Sequence, residues 1–272
     1  MLELISGALA KQYAEGLALG YVLVCARTLA LMIWLPFLYY AAIPKKFSVL
    51  FALHFSMIIM WGIGAPVIRP EEHGGAVGMV GMLFGEFVVG SALGLSVRLM
   101  IDGARSMGSL LSQAIGLAFA NFVDPSMGGS ATILEKLSWL LMLLVVIITG
   151  AHLEILKIFF HGFEIFPPGQ VPVLLLDPME VVSRCSQLFV IALRLSAPVL
   201  AVSFMVYASM AILVKVSPTM NLFVFGFALT IPGGLFALWL SSPQTITLMV
   251  EQASAASQAM IEILAAWSNA TR

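Results

Sequence analysis

Charge is what this chain has least of. Asp, Glu, Lys and Arg make up 10% of its 272 residues, against about 25% in an ordinary soluble domain. A soluble fold of that makeup could not cover its own surface with polar groups, which excludes a free-standing soluble domain. The net charge of -1 leaves no basic field for nucleic acid. Cysteine is nearly absent. Cys25 and Cys185 lie far apart in apolar runs, which argues against a disulfide framework or a thiolate metal site.

Catalytic patterns are equally scarce. His152-Leu153-Glu154 has the HxE order of zinc deaminases, but no Cys-x-x-Cys follows it. HExxH, a Walker-type phosphate loop and GxSxG are all missing. His54 stands alone in an apolar helix and reads as a packed residue. The chain is expected to be no enzyme and to need no cofactor and no metal. Its first 15 residues carry Glu3, Lys11 and Glu15, unlike the basic start of a signal peptide.

Apolar residues fill the space that charge leaves. They form 61% of the chain, and the mean hydropathy is +1.04. About 20 such residues in a helix cross a bilayer. Runs of that kind cover Leu17 to Tyr40, Phe47 to Ile68, Ala76 to Ile101, Leu137 to Phe160, Val182 to Val214 and Leu222 to Leu240. A less apolar helix is expected over Asp102 to Phe122. Pro44-Lys45-Lys46, Phe166-Pro167-Pro168-Gly169, Lys215-Val216-Ser217-Pro218 and Ser242-Pro243 read as turns. From Ile246, apolar residues at Met249, Val250, Ala253, Met260, Leu264 and Trp267 oppose Glu251, Ser254, Gln258 and Glu262. That spacing predicts an amphipathic helix that packs on a partner or lies at the interface. The fold class is therefore all-α, a polytopic membrane protein of long helical hairpins. With the N-terminus outside, Lys45, Lys46, Arg98, Arg105, Lys136 and Lys215 face inside, against Lys11, Arg69, Lys157, Arg184 and Arg272 outside. That is a slight positive-inside bias.

Three features stand out against this background. Gly74 with Gly78, Gly81 with Gly85, and Gly90 with Gly94 are GxxxG pairs, and Gly108, Ser112 and Gly116 extend the pattern. Such pairs let helix backbones approach closely in lipid. They fit either packing within the chain or packing between subunits, with Gly81, Gly85, Gly90 and Gly94 the candidates for the latter. Arg27, Glu86 and Arg194 lie inside apolar runs, where a charge is costly unless paired or hydrated. Arg27 and Glu86 form either an interhelix ion pair or part of a polar conduit. Arg98, Asp102 and Arg105, spaced along one helix face, read as a local solvated ion pair. The stretch Ala114 to Gly129 breaks an apolar run rich in Gly and Ala, with Phe119 and Phe122, into a turn at Asp124-Pro125. It reads either as an ordinary connection or as a loop lining a pore.

Four stretches together resemble one known family. They are Ala26-Arg27-Thr28-Leu29-Ala30-Leu31-Met32 through Pro36 with Ile43-Pro44-Lys45-Lys46; Gly85-Glu86 with Gly90, Leu93-Gly94 and Arg98-Leu99; Gly116-Leu117-Ala118-Phe119-Ala120 with Asp124-Pro125; and Ser217-Pro218-Thr219-Met220-Asn221-Leu222-Phe223 with Gly226-Phe227. In order and spacing they resemble the FliR family of flagellar type III export-gate proteins and its injectisome counterpart, the T component of that apparatus. Gly226-Phe227-Ala228-Leu229-Thr230 favours the flagellar branch.

The resemblance implies a FliP-like helical part over residues 1–170, a FliQ-like hairpin over 171–243 turning at Pro218 and Asn221, and a C-terminal tail over 244–272. It implies partners as well: FliP-like and FliQ-like gate subunits in a helical pore complex, an FlhB-like protein around it, unfolded export substrates passing through, and membrane lipid. The site would be the bacterial inner membrane at the flagellar basal body, with the complex raised out of the bilayer plane. Within the loop 114–129, Gly116, Phe119, Asn121, Phe122, Asp124, Pro125 and Met127 would form the plug that closes the pore, and a flexible Met127 thioether suits a seal. The competing class is a small-solute transporter with Arg27, Glu86 and Arg194 as its substrate site. Such proteins are built from internal repeats, and the sequence shows no convincing one.

Overall fold

The computed structural model describes residues 2–35, 44–68, 75–119, 131–170, 178–216 and 222–270. Its helices are α1 (Leu2–Trp34), α2 (Lys45–Gly62), α3 (Gly75–Ala114), α4 (Ile133–Ile148), α5 (Ala151–Ile165), α6 (Pro178–Val216) and α7 (Leu222–Ala270), with a single 3-10 turn over Leu117–Phe119 after α3. Among the described residues there is no strand. Among these residues, four helices are long and apolar enough to cross a membrane, and α4 with α5 would add a fifth, broken span. The all-α polytopic expectation holds.

Several boundaries differ from those read off hydropathy, each for a physical reason. The chain is helical from Leu2, because the charged first turns are good helix formers that apolar runs do not register. The runs Ala76–Ile101 and Asp102–Phe122 are one helix of 40 residues. Asp102 and Arg105 mark a polar face of it rather than an end. The Leu137–Phe160 run begins earlier and breaks in the middle. Thr132 caps α4 through a capping box with Glu135, and the run stops at Thr149-Gly150, where Gly150 has φ +75°. Ser242-Pro243 does not end α7. Proline frees the carbonyl four residues back, here Trp239, and the Ser242 hydroxyl donates to that carbonyl at 2.8 Å. The paired prolines after Phe166 do end α5, as expected.

The chain forms two compact units. The first comprises residues 1–98, 152–180 and 256–272. Helices α1 and α2 pack together, and the Tyr21 hydroxyl donates to the Leu53 carbonyl at 3.1 Å. The extended segment after α2 lies along α1, where the Ile68 amide donates to the Gly16 carbonyl at 3.1 Å. A Cβ on Gly20 would collide with the Pro66 carbonyl, so the segment occupies a groove that only small residues leave open. Leu19, Leu23, Ile68 and Met82 make its buried apolar cluster. The last turns of α7 belong to this unit. Met260, Leu264 and Trp267 are buried there, and Ser257 donates to Glu154 of α5 at 3.2 Å. This part of the amphipathic tail thus packs on its own chain.

The second unit comprises residues 99–151 and 181–255. Gly108 of α3 faces Leu134, Glu135 and Ser138 of α4, and a Cβ there would strike the Leu134 carbonyl. Arg105 donates to Glu135 at 2.7 Å. Arg105 therefore has a partner across helices in addition to any along its own helix face. Gly103 meets Ile191 of α6. Helices α6 and α7 keep little apolar surface inside: only 17% of the most apolar window of each is buried.

The glycine pairs separate in the structure. Gly90 and Gly94 press on α1: a Cβ on Gly90 would strike the Arg27 carbonyl, and one on Gly94 would lie 2.8 Å from the Leu31 carbonyl. Gly85 is buried, while Gly81 faces open space. Packing within the chain accounts for Gly90 and Gly94. A Gly90→Leu chain should therefore lose about 1–3 kcal/mol by overpacking, whereas Gly81→Leu should leave its stability at the parental value. Thermal unfolding midpoints in detergent check this, and equal midpoints for the two variants would contradict the packing described.

Candidate functional site

Arg27 and Glu86 lie within apolar stretches of α1 and α3, and both side chains are 0% exposed. Removing two charges from water costs several kcal/mol per ion, and their attraction repays this only if their remaining polar atoms find partners. They do. Arg27 Nε donates to Glu86 Oε2 at 2.5 Å. Nη1 donates to the carbonyls of Gly162 at 3.2 Å and Phe166 at 3.1 Å, and Nη2 to Phe166 at 3.1 Å. Four of the five guanidinium protons are thus engaged. The other carboxylate oxygen, Glu86 Oε1, accepts from the Gly169 amide at 2.8 Å. The guanidinium carbon sits 4.2 Å over the Phe163 ring, a cation–π contact.

The arrangement has a local origin. Gly162 lies in the last turn of α5 and Phe166 directly after it, at the negative end of the helix dipole; the Gly162 carbonyl also accepts the Phe166 amide at 3.0 Å. A guanidinium fork suits two such carbonyls. Gln170 N–H closes a turn to the Pro167 carbonyl at 3.1 Å. The Pro168-Gly169 pair has the order of a type II turn, and Gly169, at φ +84°, supplies the positive angle that position requires. That turn aims the Gly169 amide at Glu86. The result is a sealed polar knot between α1, α3, the end of α5 and the turn after it.

Of the two readings of this pair, the geometry supports the interhelix ion pair. Arg194 does not join it. It lies on α6 in the other unit and is exposed, which corrects the expectation that it is buried. Position inside an apolar run reports only that a charge is on a helix, not which face carries it.

The second candidate locus is the end of α3. Helix α3 stops at Ala114, and Gly116 turns the chain with φ +87°, an angle that side chains rarely adopt. A Cβ on Gly116 would also lie 2.5 Å from the Phe227 ring. Phe119, 40% exposed, has its ring centroid 5.5 Å from that of Phe227. Asn121, Phe122, Asp124, Pro125 and Met127, with Pro218 and Asn221 of the hairpin turn, lie outside the described residues. The structure thus brings Gly116 and Phe119 together around Phe227. Sequence reasoning met Phe227 and Thr230 only in the family resemblance and Phe166 and Gly169 only in a turn, and it gave none of them a place beside Gly116 or Arg27; Tyr207 and Phe163 it did not single out. Their roles are invisible to motifs, because they act through helix ends contributed by distant segments.

A family model described as bacterial export proteins, family 1, matches residues 8–256. The chain is 26% identical over 168 residues to the flagellar biosynthetic protein FliR of Pectobacterium carotovorum subsp. carotovorum, a match spanning 62% of this chain and 64% of that protein. It is 26% identical to the protein of the same description from Bacillus subtilis (strain 168), over 78% of this chain and 82% of that one. The corresponding figures for the Escherichia coli (strain K12) protein are 24% identity over 77% and 78%.

Arg27→Leu or Glu86→Leu leaves a buried charge without its partner and should each cost roughly 3–5 kcal/mol. The double change should recover part of that loss. Arg27→Lys should fail to rescue, since one ammonium cannot reproduce the fork that reaches Glu86 and two carbonyls. Unfolding midpoints, or yields of membrane-extracted protein, measure this. Strictly additive losses would argue against direct coupling of the two charges.

Proposed function

The chain belongs to family 1 of the bacterial export proteins, and from that membership we propose that it is a non-enzymatic pore subunit of the flagellar type III protein export gate. The observation that carries this reading is the family match across residues 8–256. The protein resides in the bacterial inner membrane at the flagellar basal body. There it joins FliP-like and FliQ-like subunits in a helical complex wrapped by an FlhB-like protein, through which unfolded substrate chains pass. The flagellar descriptions of the relatives favour this over the injectisome branch.

The loop from Gly116 to Gly129 is the plug of that pore in this reading. Two features support it. Small residues let a backbone enter a narrow lumen, and phenyl rings fill it; an apolar constriction also resists water and ions by dewetting. Phe119, on the described side of the loop, meets the Phe227 ring and remains partly exposed. A plug needs modest contacts of that kind, since it must yield to an incoming chain. The transporter alternative loses its central premise. A substrate site needs polar groups free to bind, whereas Glu86 and Arg27 are sealed and spend their polar atoms on each other and on backbone.

Deleting Phe119 to Val123, or changing Phe119 and Phe122 together to Ala, should make the complex leak ions while it still assembles. Ion conductance of membranes carrying the complex, with export substrates absent, is the measurement. An assembled variant as tight as the parent would overturn the plug assignment, and the loop would revert to a plain connection.

A further inference from the structure

The stem that leads into this loop is gripped from outside its own helix. At the end of α3, the carbonyls of Ala114 and Ile115 have no amide of their own helix to accept from. Other helices supply the donors. The Tyr207 hydroxyl of α6 donates to the Ala114 carbonyl at 2.9 Å. The Thr230 hydroxyl of α7 lies 3.1 Å from the Ile115 carbonyl. The Ile115 side chain sits against Gly234, where a Cβ would collide with its Cγ2. Phe227 fills the space beside Gly116 and meets the Phe119 ring. On the return side, Ser112 Oγ and Thr132 Oγ1 share a hydrogen bond of 2.7 Å, and Thr132 caps α4.

We propose that Tyr207, Thr230 and Phe227 are positioning residues for the export gate, through which the α6–α7 hairpin holds the stem 114–119 in place. The inference rests on the plug reading of the loop beyond that stem, and it adds what keeps the stem from moving. Thr230 gives the grip its character. Its hydroxyl lies 2.9 Å from the Gly226 carbonyl as well as 3.1 Å from that of Ile115, and it has one proton to give. When the stem moves away, the proton turns to Gly226, so the hydroxyl is never left unsatisfied. Tyr207 is half-exposed, so its hydroxyl keeps access to other partners when it lets go. Phe227 adds a ring contact without a hydrogen bond. Moving the α6–α7 hairpin away from the stem would release all three contacts together. The Ser112–Thr132 bond ties α3 to the cap of α4 and involves neither of those helices, so it holds the loop's base while the stem is released.

Tyr207→Phe with Thr230→Val removes both hydroxyls and preserves shape. In the assembled complex, with substrates absent, this pair should raise ion leak by about tenfold, on the scale of two lost hydrogen bonds. The amount of complex should stay at the parental level. Thr230→Ser keeps the hydroxyl and should hold the leak at the parental value, a rescue that a purely structural role would not produce. If the double variant fails to assemble, Tyr207→Phe alone carries the test, since it removes one half-exposed oxygen: a raised leak supports the grip, and a tight pore overturns it. A tight double variant beside a leaking Phe119–Val123 deletion would overturn the grip and leave the plug reading standing. Tightness in both would remove the plug reading and the grip with it.

Discussion

The buried pair of Arg27 and Glu86 is the interaction on which the first unit depends. Its partners come from α1, α3, the end of α5 and the turn after it, so one ion pair sets the mutual position of segments more than 130 residues apart. It is also continuous with the glycine seam. Glu86, Gly90 and Gly94 follow at four-residue steps on one face of α3, and they meet Arg27, Ala30, Leu31 and Trp34 along α1. Close backbone contact and a satisfied charge pair therefore specify the same register. A slip by one turn that brought Glu86 to the place of Gly90 would part the ion pair and put a larger residue where Gly90 now admits the Arg27 carbonyl.

How much of this was legible depended on what kind of information each feature needs. The apolar runs gave the membrane class and most of the helices, because hydrocarbon thickness acts on local composition. They missed the ends. The cap order Thr132-Ile133-Leu134-Glu135 is readable in the sequence and places the start of α4 four residues before the apolar run suggested. Pro243 looked like a stop, and only the Ser242 hydroxyl at the freed carbonyl shows why α7 continues. Face and neighbour were less legible than span. Arg27 and Arg194 give the same signal in sequence, yet one is sealed and the other exposed. Gly81 and Gly90 belong to the same motif, yet one meets open space and the other a backbone carbonyl. The partners of Arg27 beyond Glu86 are mostly main-chain atoms at a helix end, which carry no residue signature at all.

The second unit shows the complementary economy. Its inner contacts concentrate on the end of α3 and the start of α4, where glycine, serine and threonine bring helices close and cap their ends. Its outer surface is another matter. Helices α6 and α7 expose Phe204, Met205, Ile212, Phe236, Trp239 and Leu240. Helix α3, at 40 residues, is about 60 Å long, roughly twice the hydrocarbon thickness of a bilayer. Lipid alone would cover about half of such a helix. In the proposed export gate, protein covers the rest, and the weak positive-inside bias fits a chain held by protein as much as by membrane.

That surface argument makes the central claim a claim about company: the chain is one piece of a larger helical assembly. Native mass spectrometry of the tagged protein, extracted gently from the membranes of its own host, tests it most directly. The account predicts that this chain flies bound to FliP-like and FliQ-like helical membrane subunits, and that the complex outlives removal of the detergent micelle. A folded, lipid-bound monomer as the dominant species, with no such subunits retained, would contradict it.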